Sequence, residues 1–138
     1  MTPAQFVAAA ETWIDVPWRH QGRSRWGVDC AGVPEAILRE CCALPAGYKV
    51  RPNYGRIPGA ALREQLERWC TPAAQPRDGC LVHMRWPTET IPSHIGILAG
   101  DSLIHAYAKA GRVVKHAYRE PWVRMTTGYW LVPGVVYE

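Results

Sequence analysis

The sequence predicts an α+β fold in which N-terminal helices pack on a small antiparallel sheet of about five strands. Two observations carry this. As far as residue 70, apolar residues return every three or four positions, the period of a helix with one buried face. From Gly79 onward the apolar segments become short, rich in β-branched and aromatic residues, and divided by turn signals. Runs of helix followed by runs of strand give segregated layers rather than alternating βαβ units. With 138 residues, 48% of them hydrophobic, the chain suits a single domain spanning 1–138 around one core.

Thr2 is placed to cap a first helix with Pro3 at its first position, and Phe6, Ala9, Ala10, Trp13 and Ile14 form its apolar face. "DVPWRHQGRSRWG" breaks the period with Pro17, Gly22 and Gly27 and reads as a loop carrying aromatic and basic side chains. A second helix is expected from Asp29, as its N-cap, to about Cys42, with Val33, Ile37, Leu38 and Cys41 on one face. Pro34 lacks the amide that would bond back to the Cys30 carbonyl, so either this helix starts later or its first turn is distorted. After the Gly/Pro-rich "LPAGYKVRPNYGRIPG", a third helix covers Ala60 to Cys70 on the stripe Leu62, Leu66 and Trp69. "CLVHMRW", "HIGILAG", "SLIHAYA", "RVVKHAY" and "GYWLVPGVVY" are the strands, with "AGDS" and "KAGR" as turns.

The net charge is +4, and apart from Arg19, Arg23 and Arg25 the basic residues are scattered, which argues against a nucleic-acid partner. The opening "MTPAQFVAAAETWIDVPW" lacks the basic-then-apolar order of an export signal, and no stretch approaches the roughly 18 apolar residues of a membrane span. The expectation is synthesis in the cytoplasm without a signal peptide and without membrane insertion. The five cysteines, at 30, 41, 42, 70 and 80, form no C-x-x-C pair, so neither a metal nor another cofactor is expected.

Cys30 stands out among them. A helix N-terminus favours a thiolate through its unpaired amides, and Cys30 lies where the second helix should begin. Such a nucleophile needs a histidine to take its proton and a third group to orient that ring. His94 lies six residues before Gly100 and His105 five after it, so a hairpin about "AGD" would make the two rings cross-strand neighbours. The residues alone leave open whether Cys30 is a nucleophile or one more packed thiol. Cys41, Cys42, Cys70 and Cys80 read as core or surface thiols, His83 and His116 as sheet residues without a role, and Trp18 and Trp26 as neighbours of the site.

"VPWRHQGRSRWGVDCAG" resembles the entry motif of NlpC-type cell-wall cysteine peptidases, "PRDGCLVHM" the first strand of their sheet, and "SHIGILAGDSLIHAYAKAG" their two histidine-bearing strands. The resemblance runs in order from Pro17 to Gly111. It implies a minimal papain-like fold, with Cys30 as nucleophile, His94 as base and His105 as its orienting group, and a substrate in the peptide stems of peptidoglycan, cut at bonds between D-glutamate and a diamino acid. It implies substrate contacts near Trp18, Arg19, His20, Arg23, Asp29 and Ser93, with Arg19, Arg23 and Arg25 placed to meet stem carboxylates, and the Cys30 amide as an oxyanion donor. The "RHQGRSRxGVDCAG" form is similar to the phage tail-tip or prophage branch, implying other tail proteins as partners and a virion tail acting on the cell wall. Trp18 departs from the tyrosine usual in the family, and Cys80 from an aspartate. Two other functions fit the same residues: a non-catalytic structural or wall-binding tail protein, and a cysteine-dependent amidase or acyltransferase on another substrate.

Overall fold

A computed structural model describes residues 1–49 and 54–138; residues 50–53, inside the predicted Gly/Pro-rich connection, lie outside the described residues. Helix α1 spans Pro3–Glu11. Its start is a reciprocal cap, in which the Gln5 amide donates to Thr2 Oγ1 at 3.1 Å and the Thr2 amide donates to Gln5 Oε1 at 2.9 Å. Such a cap contributes about 1 kcal/mol. Phe6 and Ala10 bury the inner face, and Trp13, just beyond the last turn, completes it.

The loop that follows is more ordered than its composition suggests. Arg23–Ser24 (β1) and Gly27–Val28 (β2) pair as a two-stranded antiparallel ribbon, and Trp18 forms a bridge to Val28. Helix α2 runs Gly32–Glu40, two residues later than predicted, with Ala31 rather than Asp29 as the cap residue. Pro34 supplies the reason. In a helix begun at Asp29 it would delete a bond, whereas in one begun at Gly32 it falls in the first turn, where amides have no intrahelical acceptor. Asp29 still serves the helix from outside, its Oδ1 accepting the Gly32 amide at 2.9 Å. Helix α3 follows at Ala60–Trp69.

The strands β3 (Thr71–Ala73), β4 (Leu81–Met84), β5 (His94–Ala99), β6 (Ser102–Tyr107), β7 (Arg112–Ala117) and β8 (Thr126–Leu131) form one sheet, with a short helix α4 at Trp122–Met125. Their order is β3-β8-β4-β5-β6-β7, and every neighbouring pair is antiparallel. The sheet therefore has six strands instead of about five. The addition is β3, a three-residue edge strand with Pro72 at its centre, which carries no local strand signal and pairs with β8.

Alternation along the strands sorts the two faces. Leu81, Ile95, Ile97, Ile104 and Val113 meet Phe6, Trp13, Ile37 and Leu66 in the main core, so the helical layer covers one face as predicted. Val82, Met84, Leu98 and Leu103 point the other way, beneath Trp86, Tyr118, Trp122 and Tyr129. His94 and His105 share the alternation of Leu98 and Leu103 and so belong to this second face.

Candidate active site

Cys30 occupies the turn between β2 and α2 and borders an open cleft of about 610 Å³. Trp18, Asp29 and Tyr54 continue its wall on the helix side, and Trp86, Ser93, His94 and Tyr107 form the sheet side. The thiol donates to the Ser93 carbonyl at 3.9 Å. Burial pushes it up to about 12 and the Asp29 charge adds to that, against weaker pulls from the Ile95 amide, the Arg23 guanidinium and the Ala31 amide. This overturns the expectation that a helix start would lower it. The helix begins two residues beyond the sulfur, and desolvation outweighs the dipoles that reach it.

Behind the helix-side wall lies a cluster of paired charges. Asp29, 4% exposed, accepts from the Arg23 guanidinium at 2.8 Å, from the Gln21 amide at 2.9 Å and from the Tyr54 hydroxyl. Arg23 lies 2.9 Å from buried Glu35, which also accepts the Tyr48 hydroxyl at 2.8 Å. Arg23, expected to meet a substrate carboxylate, is thus turned inward to neutralise two buried acids. The Asp-Cys-Ala-Gly sequence ends in glycine for a steric reason. A Cβ at Gly32 would lie 2.3 Å from the Gly22 carbonyl and 2.9 Å from Arg23 Nη1.

His94, in the sheet-side wall, is the first of a row of histidines. His94 Nε2 lies 2.6 Å from His105 Nδ1, His105 Nε2 lies 2.8 Å from His116 Nε2, and His116 Nδ1 lies 3.0 Å from the Ala117 carbonyl. His94 and His105 are cross-strand neighbours, as the hairpin about "AGD" predicted, and they meet on a diagonal of the register. Ile97 pairs with Ile104, which sets Gly96 opposite His105 and leaves His94 one diagonal step away on the same face. Gly96 makes the step possible, since a Cβ there would approach Leu103 Cδ1 to 2.6 Å and His105 Cβ to 3.2 Å. Burial pushes His94 down to about 3, with His83 adding, and His105 down to about 2, with His94 and His116 adding. Trp86, 4.7 Å from the His94 ring, and Tyr107, stacked 5.3 Å from His105, supply the apolar cover.

The other predicted contacts divide. Trp18 borders the cleft, with the Arg56 guanidinium 4.9 Å over its ring, whereas Arg19 and His20 stand outside the wall, His20 edge-on to Tyr54 at 5.6 Å. The Ser93 hydroxyl is buried, so that residue serves the cleft through its carbonyl. Trp26, expected near the site, is 86% exposed at the ribbon tip. Arg25 is held away from the cleft by Glu40 at 2.8 Å and by the Trp13 ring. Among the described residues no three His, Cys, Asp or Glu side chains are grouped to hold a metal, and no helix is long and apolar enough to cross a membrane.

Tyr54, Trp86 and Tyr107 join the site without having been singled out in the sequence, as does His116. A signal for His116 does exist. His94, His105 and His116 are spaced by 11 residues twice over, one histidine per strand across two tight turns.

No family model matches the sequence, and neither does any curated protein. Solved structures do match. The NlpC/p60 domain of the peptidoglycan hydrolase SagA aligns with 94% of this chain and 97% of its own at 20% identity and a TM-score of 0.63. The peptidoglycan hydrolase RipB from Mycobacterium tuberculosis aligns with 98% of this chain and 65% of its own at 17% identity and a TM-score of 0.61. An N-acetylmuramoyl-L-alanine amidase from Bacteroides uniformis aligns with 95% and 98% at 15% identity and a TM-score of 0.58. Over nearly its whole length, the chain has the fold of the NlpC/p60 domains.

Proposed function

We propose that the chain, as one NlpC-type domain over residues 1–138, is a cysteine hydrolase that cuts the peptide stems of bacterial peptidoglycan. The observation that carries this is that Cys30 and His94 line one cleft, with His94 Nε2 lying 2.6 Å from His105 Nδ1. With Nε2 committed, Nδ1 is the nitrogen of His94 left to receive the thiol proton. Two solved structures of this fold bear names of peptidoglycan hydrolases, which supports the substrate class.

The resting pair is a neutral thiol beside a neutral imidazole, because burial opposes both charges. The proton therefore moves as the reaction proceeds. Sulfur bonds to the amide carbonyl carbon while His94 takes its proton, and the C–N bond then breaks as His94 returns that proton to the departing amine. A water deprotonated by His94 attacks the thioester and releases the acid and the thiol. The Cys30 amide is the candidate oxyanion donor. The "RHQGRSRxGVDCAG" stretch supports a place at a phage tail tip beside other tail proteins, delivering the domain to the wall.

Digestion of purified peptidoglycan, read by mass spectrometry of the released fragments, tests this. Wild type should release stem fragments with new D-glutamyl or diamino-acid ends, and Cys30→Ala should release none while unfolding at the wild-type temperature. Fragments cut between muramic acid and L-alanine would assign an amidase instead, the bond named for the Bacteroides uniformis neighbour. Equal release by Cys30→Ala would reject cysteine catalysis and favour a structural tail component.

A further inference from the structure

The histidine row does not stop at the third group. His116, half-buried on β7, continues the diagonal step from His105 and ends on a main-chain carbonyl. That terminus determines where every proton in the row sits. A carbonyl oxygen only accepts, so a neutral His116 carries its proton on Nδ1 and presents a bare Nε2 to His105. His105 must then donate from Nε2, which leaves its Nδ1 bare. His94 in turn donates from Nε2, and its Nδ1 is the lone pair left for the thiol. Reversing the row would need a proton on the nitrogen that faces Ala117 to be absent, setting two acceptors 3.0 Å apart.

We propose that His116 is a positioning residue of the site: by anchoring the row on the Ala117 carbonyl it fixes the tautomer of His105 and, through it, the base-competent tautomer of His94. The assignment rests on Cys30 and His94 being nucleophile and base. A cysteine, a base and one orienting histidine do not determine that tautomer by themselves, since a His105 with no acceptor beyond it can donate from either nitrogen. Trp122 packs over both rings, 5.0 Å from His105 and 4.8 Å from His116, and keeps them in register.

Two measurements on the full chain decide the matter. Long-range proton–nitrogen NMR of the wild type should show His116 protonated at Nδ1 and both His105 and His94 at Nε2; a His105 protonated at Nδ1 overturns the proposal without any variant. The rate of Cys30 alkylation by iodoacetamide at pH 7.5, located by peptide mass spectrometry, is then compared among variants. His116→Leu should slow it about tenfold, the ratio set by one unpaired buried N–H, and move His94 toward Nδ1 protonation. His116→Gln should restore the rate to within about twofold, because an amide oxygen near the place of Nε2 accepts from His105. A merely structural role predicts no such rescue and no change of tautomer. His94→Gln separates the two failures: if it slows alkylation and His116→Leu does not, this assignment alone falls; if His94→Gln has no effect, the catalytic reading falls and the assignment with it.

Discussion

On the helix side of the cleft, buried Asp29 and Glu35 are charged and paired with half-buried Arg23, while on the sheet side His94 and His105 are buried, neutral and joined by a hydrogen bond. The two walls stand on either side of one sulfur. A charged cluster withdrawn from water holds only while every partner is present, which makes it a rigid frame for the Cys30 turn. Neutral imidazoles tolerate burial without counter-ions, and each can give a proton from one nitrogen while taking one at the other. Frame and chemistry are thereby assigned to different walls.

Breaking the frame should give the largest effect. Asp29→Ala strands the Arg23 charge and three further donors, and should lower unfolding free energy by about 3 kcal/mol, read as the urea midpoint of the variant against wild type. A loss under 1 kcal/mol would mean that Arg23 is satisfied by Glu35 alone. The opposite wall should respond in rate rather than stability. His105→Leu removes the acceptor for His94 Nε2 at nearly constant volume, so peptidoglycan hydrolysis should fall about a hundredfold while urea unfolding shifts much less than for Asp29→Ala.

Acid provides the third comparison. His94, His105 and His83 all titrate lower in the fold than the ordinary value near 6.5, each chiefly through burial. The unfolded chain therefore binds more protons than the fold between about pH 4 and 6.5, and stability falls as pH drops through that window. Each histidine that stays neutral should take up to about 2 kcal/mol from stability between pH 7 and pH 5. Equal urea midpoints at those two pH values would mean that these three histidines titrate in the fold as they do in the unfolded chain. The smallest effect is predicted at the ribbon tip. Trp26→Ala should change stability by less than about 0.5 kcal/mol and leave hydrolysis unaltered, since its ring lies outside the cleft.

Much of this was legible in the sequence because it is local. Thr2, Pro3 and Gln5 mark the start of α1 within five residues, and the alternation in "HIGILAG" and "SLIHAYA" marks β5 and β6 with their histidines. The ribbon β1–β2 and the edge strand β3 were not legible, since elements of two or three residues persist only where a neighbour supplies the hydrogen bonds. Tyr54 gave no signal either. Its place beside Asp29 depends on a connection that returns to the cleft 25 residues later.

The sequence by itself determined that helices precede a sheet, that Cys30 stands just ahead of a helix, and that histidines recur one per strand at 94, 105 and 116. Only the tertiary structure decided that Arg23 turns inward, that the thiol is pushed up and not down, and that the histidines meet on diagonals to form one proton-sharing row. Caps, periodicity and turns act over a few residues, and so can be read along the chain. Desolvation, ion pairing and register depend on which distant residues arrive beside a group, and those neighbours exist only once the chain has folded.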